Sequence, residues 1–363
     1  MPEPGSINIS STSSGNSPAT DILTRLLQCW PRRTINQVLF SETDAKARLL
    51  GGEVESRLSL DAAGKRRKRP LKFSHSPAIS AFDRQFPRVL EHIPDPPIVL
   101  FYSGLLASLN QPSIAIVGAR RATQVGRQRA EEIAAELASL GLVIVSGLAY
   151  GIDRAAHVGA LAVGGTTIAV LGSGLNRVYP SSHQRLAREL IDKNGLMLSE
   201  YPSDWPPRPY QFPERNRLIS GLTNAVVVVE AGLHSGSLIT ARLALEQGRE
   251  VFAVPGSVSS LVSAGSHRLI REGAELVTCA SEIAQSLGIE PIIKPSPSPA
   301  MTLGPELTPD QHYILQFLRG YRASADELCV LSDWPVSKLL QVLGHLEVLG
   351  IVHADADGYI AAF

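Results

Sequence analysis

Cysteine is scarce in this chain: three in 363 residues, at Cys29, Cys279 and Cys329, with no Cys-x-x-Cys pair. That usage excludes a disulfide framework and an ordinary zinc knuckle, fits a reducing cytoplasm, and leads us to expect neither metal nor cofactor. Net charge is missing as well. The 34 Lys and Arg cancel 34 Asp and Glu, so a globally basic nucleic-acid coat is excluded and any DNA site must be local. No apolar run is long enough to cross a bilayer, and the first twenty residues, rich in Ser, Thr, Pro and Gly, lack the basic start and apolar run of a secretory leader. No membrane association is expected. Aromatic residues reach only 6%, against 44% hydrophobic and 19% charged, a balance that supports a large core in more than one domain.

Four segments are legible. Residues 1–72 read as a leader followed by a poorly defined helical region, with helical patterns at 22–30 and 44–50 and a basic run, Lys65-Arg66-Arg67-Lys68-Arg69, of the kind that forms a solvated linker. Residues 73–288 form the core segment. There, apolar runs at 114–117, 142–145, 167–171, 225–229 and 251–254 alternate with helical stretches near 127–140, 154–163, 182–193 and 237–248, with weaker strands at 196–199 and 275–277. Unbroken Val and Ile runs mark strands covered on both faces, so the fold class is α/β, a doubly wound parallel sheet. Residues 289–303, with Pro291, Pro295, Pro297 and Pro299, read as a stiff linker. Residues 304–363 show helices at 308–318, 324–331 and 335–349 and a hairpin turning at Asp357-Gly358, the order of a winged helix. This tail has three Lys or Arg against eight Asp or Glu.

Ligands of such a sheet bind at loops leaving the carboxyl ends of the strands, and these loops are rich in Gly, Ser and Arg. Among residues 111–288, fifteen of sixteen cations are arginine, the side chain whose fork matches phosphate. Gly118-Ala119-Arg120-Arg121 follows the first parallel strand, with Gly126 opening a helix. The later glycines of a dinucleotide fingerprint are missing, and no Gly-Lys-Ser/Thr makes a P-loop. A guanidinium reaching outward for phosphate is the reading. Ser146-Gly147 begins a tight turn that ends at Asp153, expected to cap the next helix, and His157 reads as a core histidine. Gly174 lies in the third loop, upstream of Tyr179-Pro180. Arg215-Asn216-Arg217 precedes a buried strand, and its two arginines cannot share one helical face, so one is expected to anchor the fold and the other to meet phosphate or base. Ser235-Gly236-Ser237, running on to Thr240, offers hydroxyls and amides at a helix start, an anion seat or a simple cap. Tyr179, Tyr201, Trp205, Tyr210 and Phe212 lie on the same loops as candidates for stacking on bases or for packing on neighbouring prolines.

Taken together, Gly118-x-Arg120, Ser146-Gly147-Leu148-Ala149-x-Gly151-Ile152-Asp153, His157, Tyr179-Pro180, Ser199-Glu200-Tyr201-Pro202, Phe212-Pro213-x-Arg215-Asn216-Arg217, Ser235-Gly236-Ser237-Leu238-Ile239-Thr240-Ala241 and Val254-Pro255-Gly256 closely resemble the DNA-processing protein A (DprA/Smf) family over residues 80 to 285. The resemblance implies a Rossmann-like core, similar to proteins that have no established enzymatic activity, bind single-stranded DNA, form homodimers and load RecA recombinase during natural transformation. It also implies a DNA site at Gly118, Arg120, Ser146, Gly147, Gly174, Arg215, Asn216, Arg217, Ser235, Gly236 and Thr240. Two departures stand out. Residues 1–72 lack the Gly-Pro hairpin of the family's helical domain, and Ser181 follows Tyr179-Pro180 where the family often has a basic residue, leaving Arg177 or Arg185 to substitute.

Winged helices end many similar chains, but this acidic tail, with Lys338 alone on its candidate recognition helix, points to protein rather than duplex DNA. Two other classes compete. A nucleotide-hydrolysing enzyme would use Glu230 with the residues from Ser235 to Thr240, and a transcription regulator would read duplex DNA through the winged helix.

Overall fold

The computed structural model describes residues 16–29, 35, 49, 77–289, 308–318, 323–349, 351–355 and 358–361. The chain divides into two compact units, residues 1–292 and 293–363. The candidate helix at 44–50 (Leu49 apart), the basic run at 65–69 and nearly all of the proline-rich linker lie outside the described residues.

The first unit is built on a nine-stranded sheet. Its strands are β1 (Ala78–Ser80), β2 (Val99–Gly104), β3 (Ser113–Val117), β4 (Val143–Ser146), β5 (Thr167–Leu171), β6 (Leu196–Ser199), β7 (Ala225–Val228), β8 (Glu250–Ala253) and β9 (Glu275–Leu276), in the spatial order β1-β2-β6-β5-β4-β3-β7-β8-β9. From β6 to β9 every pairing is parallel, whereas β1 and β2 pair antiparallel at one edge. The expected doubly wound parallel sheet is present. Its antiparallel edge was not read from the sequence, because β1 is only three residues long and carries no period of its own.

Strand alternation divides the core in two. Ile114 and Ile116 face one cluster, with Ala130, Ile133 and Leu137 of α2 (Gln124–Ser139) and Ala155 and Ala156 of α3 (Ile152–Ala162). Ala115 and Val117 face the other, with Leu218 and Ile219 of α5 (Gln211–Gly221), Ala241 and Ala244 of α6 (Ser237–Glu246), and Leu269 of α7 (Ala264–Arg271). Both faces are covered, which is why the strand interiors read as nearly continuous apolar runs, with Ser113, Ser146, Thr167 and Ser199 only at strand ends. A third cluster joins β2 and β6 to α4 (Gln184–Asp192) and α1 (Pro18–Cys29). Helix α1 starts inside the stretch expected to be leader: Ala19 and Thr20 are buried, Thr20 Oγ1 donates to Asp83 at 2.5 Å, and the Ala78 amide donates to Asn16. The short helix α8 (Ala280–Ser286) packs Ala280 and Ile283 into the α2–α3 side of the core.

The order of strands fixes where a ligand can sit. From β3 the chain winds through β4, β5 and β6 to one side; it then returns to β7, beside β3, and winds through β8 and β9 to the other. The loops after β3 and β7 therefore diverge and open a crevice at the carboxyl edge.

The second unit comprises α9 (Pro309–Leu318), α10 (Ala325–Ser332), α11 (Val336–Val348) and the hairpin β10 (Val352–Asp355) and β11 (Gly358–Ala361), with Ala323 bridged to Tyr359. Ser324 and Glu327 form a reciprocal capping box at the start of α10. Ile314, Leu318, Leu328, Leu339, Leu343 and Leu346 make its core. Asp355 pairs with Gly358, so Gly358 belongs to β11 rather than to the Asp357-Gly358 turn read from the sequence.

Candidate nucleic-acid interface

The crevice between β3 and β7 is a groove of about 880 Å³. Seven of the eleven site residues expected from sequence line it: Gly118, Arg120, Arg215, Asn216, Ser235, Gly236 and Thr240. They come from three places in the chain. The loop after β3 brings Gly118 and Arg120, helix α5 brings Arg215 and Asn216, and the start of α6 brings the rest.

The floor is held tightly. The Ala119 amide donates to the Glu230 carbonyl at 2.6 Å, joining the two diverging loops. A Cβ on Gly118 would lie 2.5 Å from Ile152 and 2.8 Å from the Glu230 carbonyl oxygen, so only glycine lets these segments meet. The Glu230 carboxylate, the nucleophile-activating candidate of the enzyme reading, points elsewhere: it accepts from Thr123 N at 3.0 Å and Thr123 Oγ1 at 2.7 Å, while Thr123 caps α2 by accepting from the Gly126 amide.

On this floor the two arginines differ sharply. Arg120 is exposed, lies 5.2 Å over the Phe212 ring, and forms no ion pair with any described residue. Phe212 in turn packs against exposed Tyr179, their ring centres 5.3 Å apart. The groove thus presents an exposed cation beside an aromatic pair, and the positive end of α6 lines the same groove. Arg215 is buried. One terminal nitrogen donates to the carbonyls of Gly147, at 2.9 Å, and Val170, and Nε donates to Asn216 at 3.3 Å. Asn216 continues the chain to the Gly236 carbonyl at 3.3 Å, linking α5 to the rim of the anion seat. Burial pulls the Arg215 guanidinium down, to about 10, and the charge of Asp153 opposes that shift. It remains a cation at neutral pH, set beneath the surface.

Asp153 does not cap its helix as expected. Its carboxylate turns back and accepts from the Gly147 amide at 3.1 Å and the Ala149 amide at 3.3 Å, clamping the preceding loop. Burial pushes its carboxyl up, while Arg215 and these amides favour the charged form. His157 is a core histidine: it is buried, and Thr167 Oγ1 donates to the Ile144 carbonyl at 2.6 Å, so Nδ1–H of His157 must donate to Thr167, 2.7 Å away. Its Nε2 has no partner among the described residues. Burial, with His183 and Arg215 nearby, pulls it down to about 3.

The other four expected site residues are not on the groove wall. Ser146 is fully buried and donates to the Ile116 carbonyl at 2.7 Å, tying β4 to β3. Gly147 lies under Arg215. At Gly174 a Cβ would sit 2.2 Å from the Pro202 carbonyl oxygen, so it serves close packing of two loops. Arg217 is buried, with one nitrogen 2.7 and 2.6 Å from the Glu200 oxygens and another 3.3 Å from Asp95. Of the two arginines, Arg217 anchors the fold away from the groove, whereas Arg215 lines the groove while also holding the Gly147 and Val170 carbonyls; Arg120 is the exposed one. Tyr201, Trp205 and Tyr210 also lie off the groove; Tyr201 donates to Glu214 at 3.0 Å. Neither Arg177 nor Arg185 lines the groove. Sequence reasoning missed its apolar end, Leu233, Ile239 and Leu261, of which Leu233 and Leu261 are exposed; Leu233, two residues before Ser235 in a Gly-rich loop, was the available signal.

Comparisons with known proteins place the chain in a family. The family described as DNA recombination-mediator protein A matches residues 78–288, and the DprA winged helix domain matches residues 296–358. The chain is 40% identical to Protein Smf of Escherichia coli over 78% of this chain and 76% of that protein, and 46% identical to the DNA processing protein DprA of Streptococcus pneumoniae over 58% and 74%. Among solved structures it is similar to that of DprA from S. pneumoniae, with TM-score 0.57, 38% identity, and coverage of 75% of this chain and 94% of that one. A structure describing the single-stranded DNA binding mode of DprA from Helicobacter pylori matches with TM-score 0.52 and 33% identity, covering 60% of this chain and 98% of that one. With a matched core domain, a matched winged helix and close relatives over most of its length, the chain belongs to the DNA recombination-mediator protein A family, the DprA/Smf proteins.

Proposed function

We propose that this protein binds single-stranded DNA in the groove between β3 and β7, shields it in the cytoplasm, and passes it to a RecA recombinase during natural transformation. The observation that carries the reading is Arg120: an exposed cation without an ion-pair partner among the described residues, over the Phe212–Tyr179 ring pair. A phosphate would meet the guanidinium and the positive end of α6, and an unstacked base would meet the rings, the two demands of a flexible single strand. The binding mode described for the H. pylori relative supports the same ligand class.

The protein acts on this reading as a binder without a reaction of its own. Glu230, which the hydrolase alternative needs at the ligand, is spent on Thr123. We further propose a homodimer through the core, supported by the family resemblance and by exposed Val258, Leu261 and Leu276 in the segment 251–276. Two paired grooves would let one dimer bridge two strands.

A gel-shift series comparing single-stranded with duplex DNA tests the ligand. Preference for the single strand, lost in Arg120→Ala, is expected; equal affinity for both, or an unchanged variant, would overturn the assignment. Sedimentation at micromolar concentration tests the dimer, and the rate of RecA filament assembly on coated DNA tests the handover.

A further inference from the structure

The winged helix presents a surface that DNA recognition does not explain. On α11, Val336, Leu340, Gly344 and Val348 recur every four residues, one ridge of a helix. Val336 is 51% exposed, Leu340 46% and Val348 85%, while space around Gly344 is open. The neighbouring face, Leu339, Leu343 and Leu346, already fills the domain core. Val330 and Leu331 of α10 are exposed as well. The lysine that a DNA-reading helix would extend is committed: Lys338 Nζ lies 3.8 Å over the Trp334 ring and 3.0 Å from Asp310.

We propose that this ridge docks an amphipathic helix of another protein, one whose apolar stripe is flanked by Lys or Arg. The shape argues for a helix. A ridge of i, i+4 side chains with a glycine near its middle admits another helix at close range, and the span from Val336 to Val348 is about 18 Å at 1.5 Å per residue. Charge argues for a basic flank and against a second copy. Exposed Asp333 and Glu347 adjoin the ridge, and residues 304–363 have eight Asp or Glu against three Lys or Arg. Two identical tails would repel, duplex DNA would be repelled more strongly, and a cationic helix would be drawn in. Apolar contact would supply the affinity.

The test uses the full-length chain and a fluorescein-labelled 14-residue Leu–Lys amphipathic helical peptide, with a Leu–Glu peptide of the same pattern as control. Saturable binding of the Leu–Lys peptide is expected, with none of the control. Leu340→Glu and Val348→Glu, both at exposed positions, should each weaken it at least tenfold while leaving the urea unfolding midpoint unchanged. The sign is decisive, because each variant adds negative charge. If binding is unchanged or tightens, long-range attraction alone is responsible and the docking site is refuted. Absence of saturable binding refutes it equally. A fall in self-association for Leu340→Glu would assign the ridge to a second copy, and a fall in duplex affinity would assign it to DNA; either overturns the proposal.

Discussion

The guanidinium of Arg215 fills the space that a side chain at Gly147 would need: a Cβ there would lie 2.3 and 2.4 Å from its two terminal nitrogens. Gly147 is thus held from both sides, its carbonyl by Arg215 and its amide by Asp153. The clamped loop bears on the groove, since a Cβ on Gly151 would lie 2.1 Å from the Ala119 carbonyl oxygen and the Ile152 amide donates to that oxygen at 3.3 Å. Gly147→Ala should cost about 1–3 kcal/mol by overpacking. Arg215→Gln should cost about 3 kcal/mol or more, because it strips Asp153 of its countercharge. Urea denaturation of both variants and of the double variant checks this: the double variant should lose less than the sum. Simple additivity would show that the two residues act separately.

Arg120→Ala should leave stability intact and weaken single-strand binding by about 1–3 kcal/mol, the range for a charge-assisted hydrogen bond to phosphate. The slope of log affinity against log salt should also fall by about 0.7, one phosphate contact fewer. A weakened variant with an unchanged slope would place Arg120 outside the phosphate contacts.

His157 should make the core acid-sensitive. Its folded value is depressed to about 3 from 6.5, so the unfolded chain takes up a proton first as pH falls. Its contribution is fully present above pH 6.5 and is lost progressively toward pH 3, by up to about 1.4 kcal/mol per pH unit. Urea titrations across this range should give a shallower pH dependence for His157→Gln. Parallel curves for variant and wild type would contradict a buried neutral imidazole.

Asp83 ties helix α1 to the sheet, accepting from Thr20 Oγ1 at 2.5 Å, Ser80 N at 2.7 Å and Ser80 Oγ at 2.9 Å. Burial acts to raise its value, but the hydrogen bonds from Ser17, Thr20 and Ser80 outweigh it and hold the carboxyl below 3.8. Its stabilisation is therefore present above the ordinary carboxylate range and fades as pH drops through the lowered value. At neutral pH, Asp83→Ala should speed amide hydrogen exchange in α1 relative to α2 and α3. Uniform exchange rates across all three helices would show that α1 is held otherwise.

Removing residues 304–363 should cost little single-strand affinity, because the tail is acidic and Lys338, its cation on α11, is already paired. Any slight gain should shrink as salt shortens the Debye length to about 10 Å at 0.1 M. Loss of most affinity in a folded chain ending near Gly288, or DNA binding by the tail alone, would move the site away from the groove.

The parallel strands, helices α2, α3, α4 and α6 and the winged helix are properties of local pattern, and the sequence determined them by itself; α5, α7 and α8 were not read from it. Runs such as Ile114 to Val117 repeat every residue because both sheet faces are buried, and helix periods of 3.6 residues survive any packing. The sequence also placed Gly118, Arg120 and Ser235 in loops that follow strands, where the topology makes a crevice, whereas Asn216 was read only as preceding a strand and reaches the groove on α5. The sequence could not divide the arginines. Arg120, Arg215 and Arg217 are chemically equal in one dimension, and only tertiary packing decided that Arg215 goes against Gly147 and Arg217 onto Glu200, leaving Arg120 exposed. The same holds for Asp153, whose partners lie behind it in a turned loop rather than ahead in its helix. A buried charge is assigned by the countercharges and carbonyls that surround it, and for Arg215 and Arg217 those that settle their place come from residues 17 to 122 positions away, a distance over which sequence pattern carries no signal.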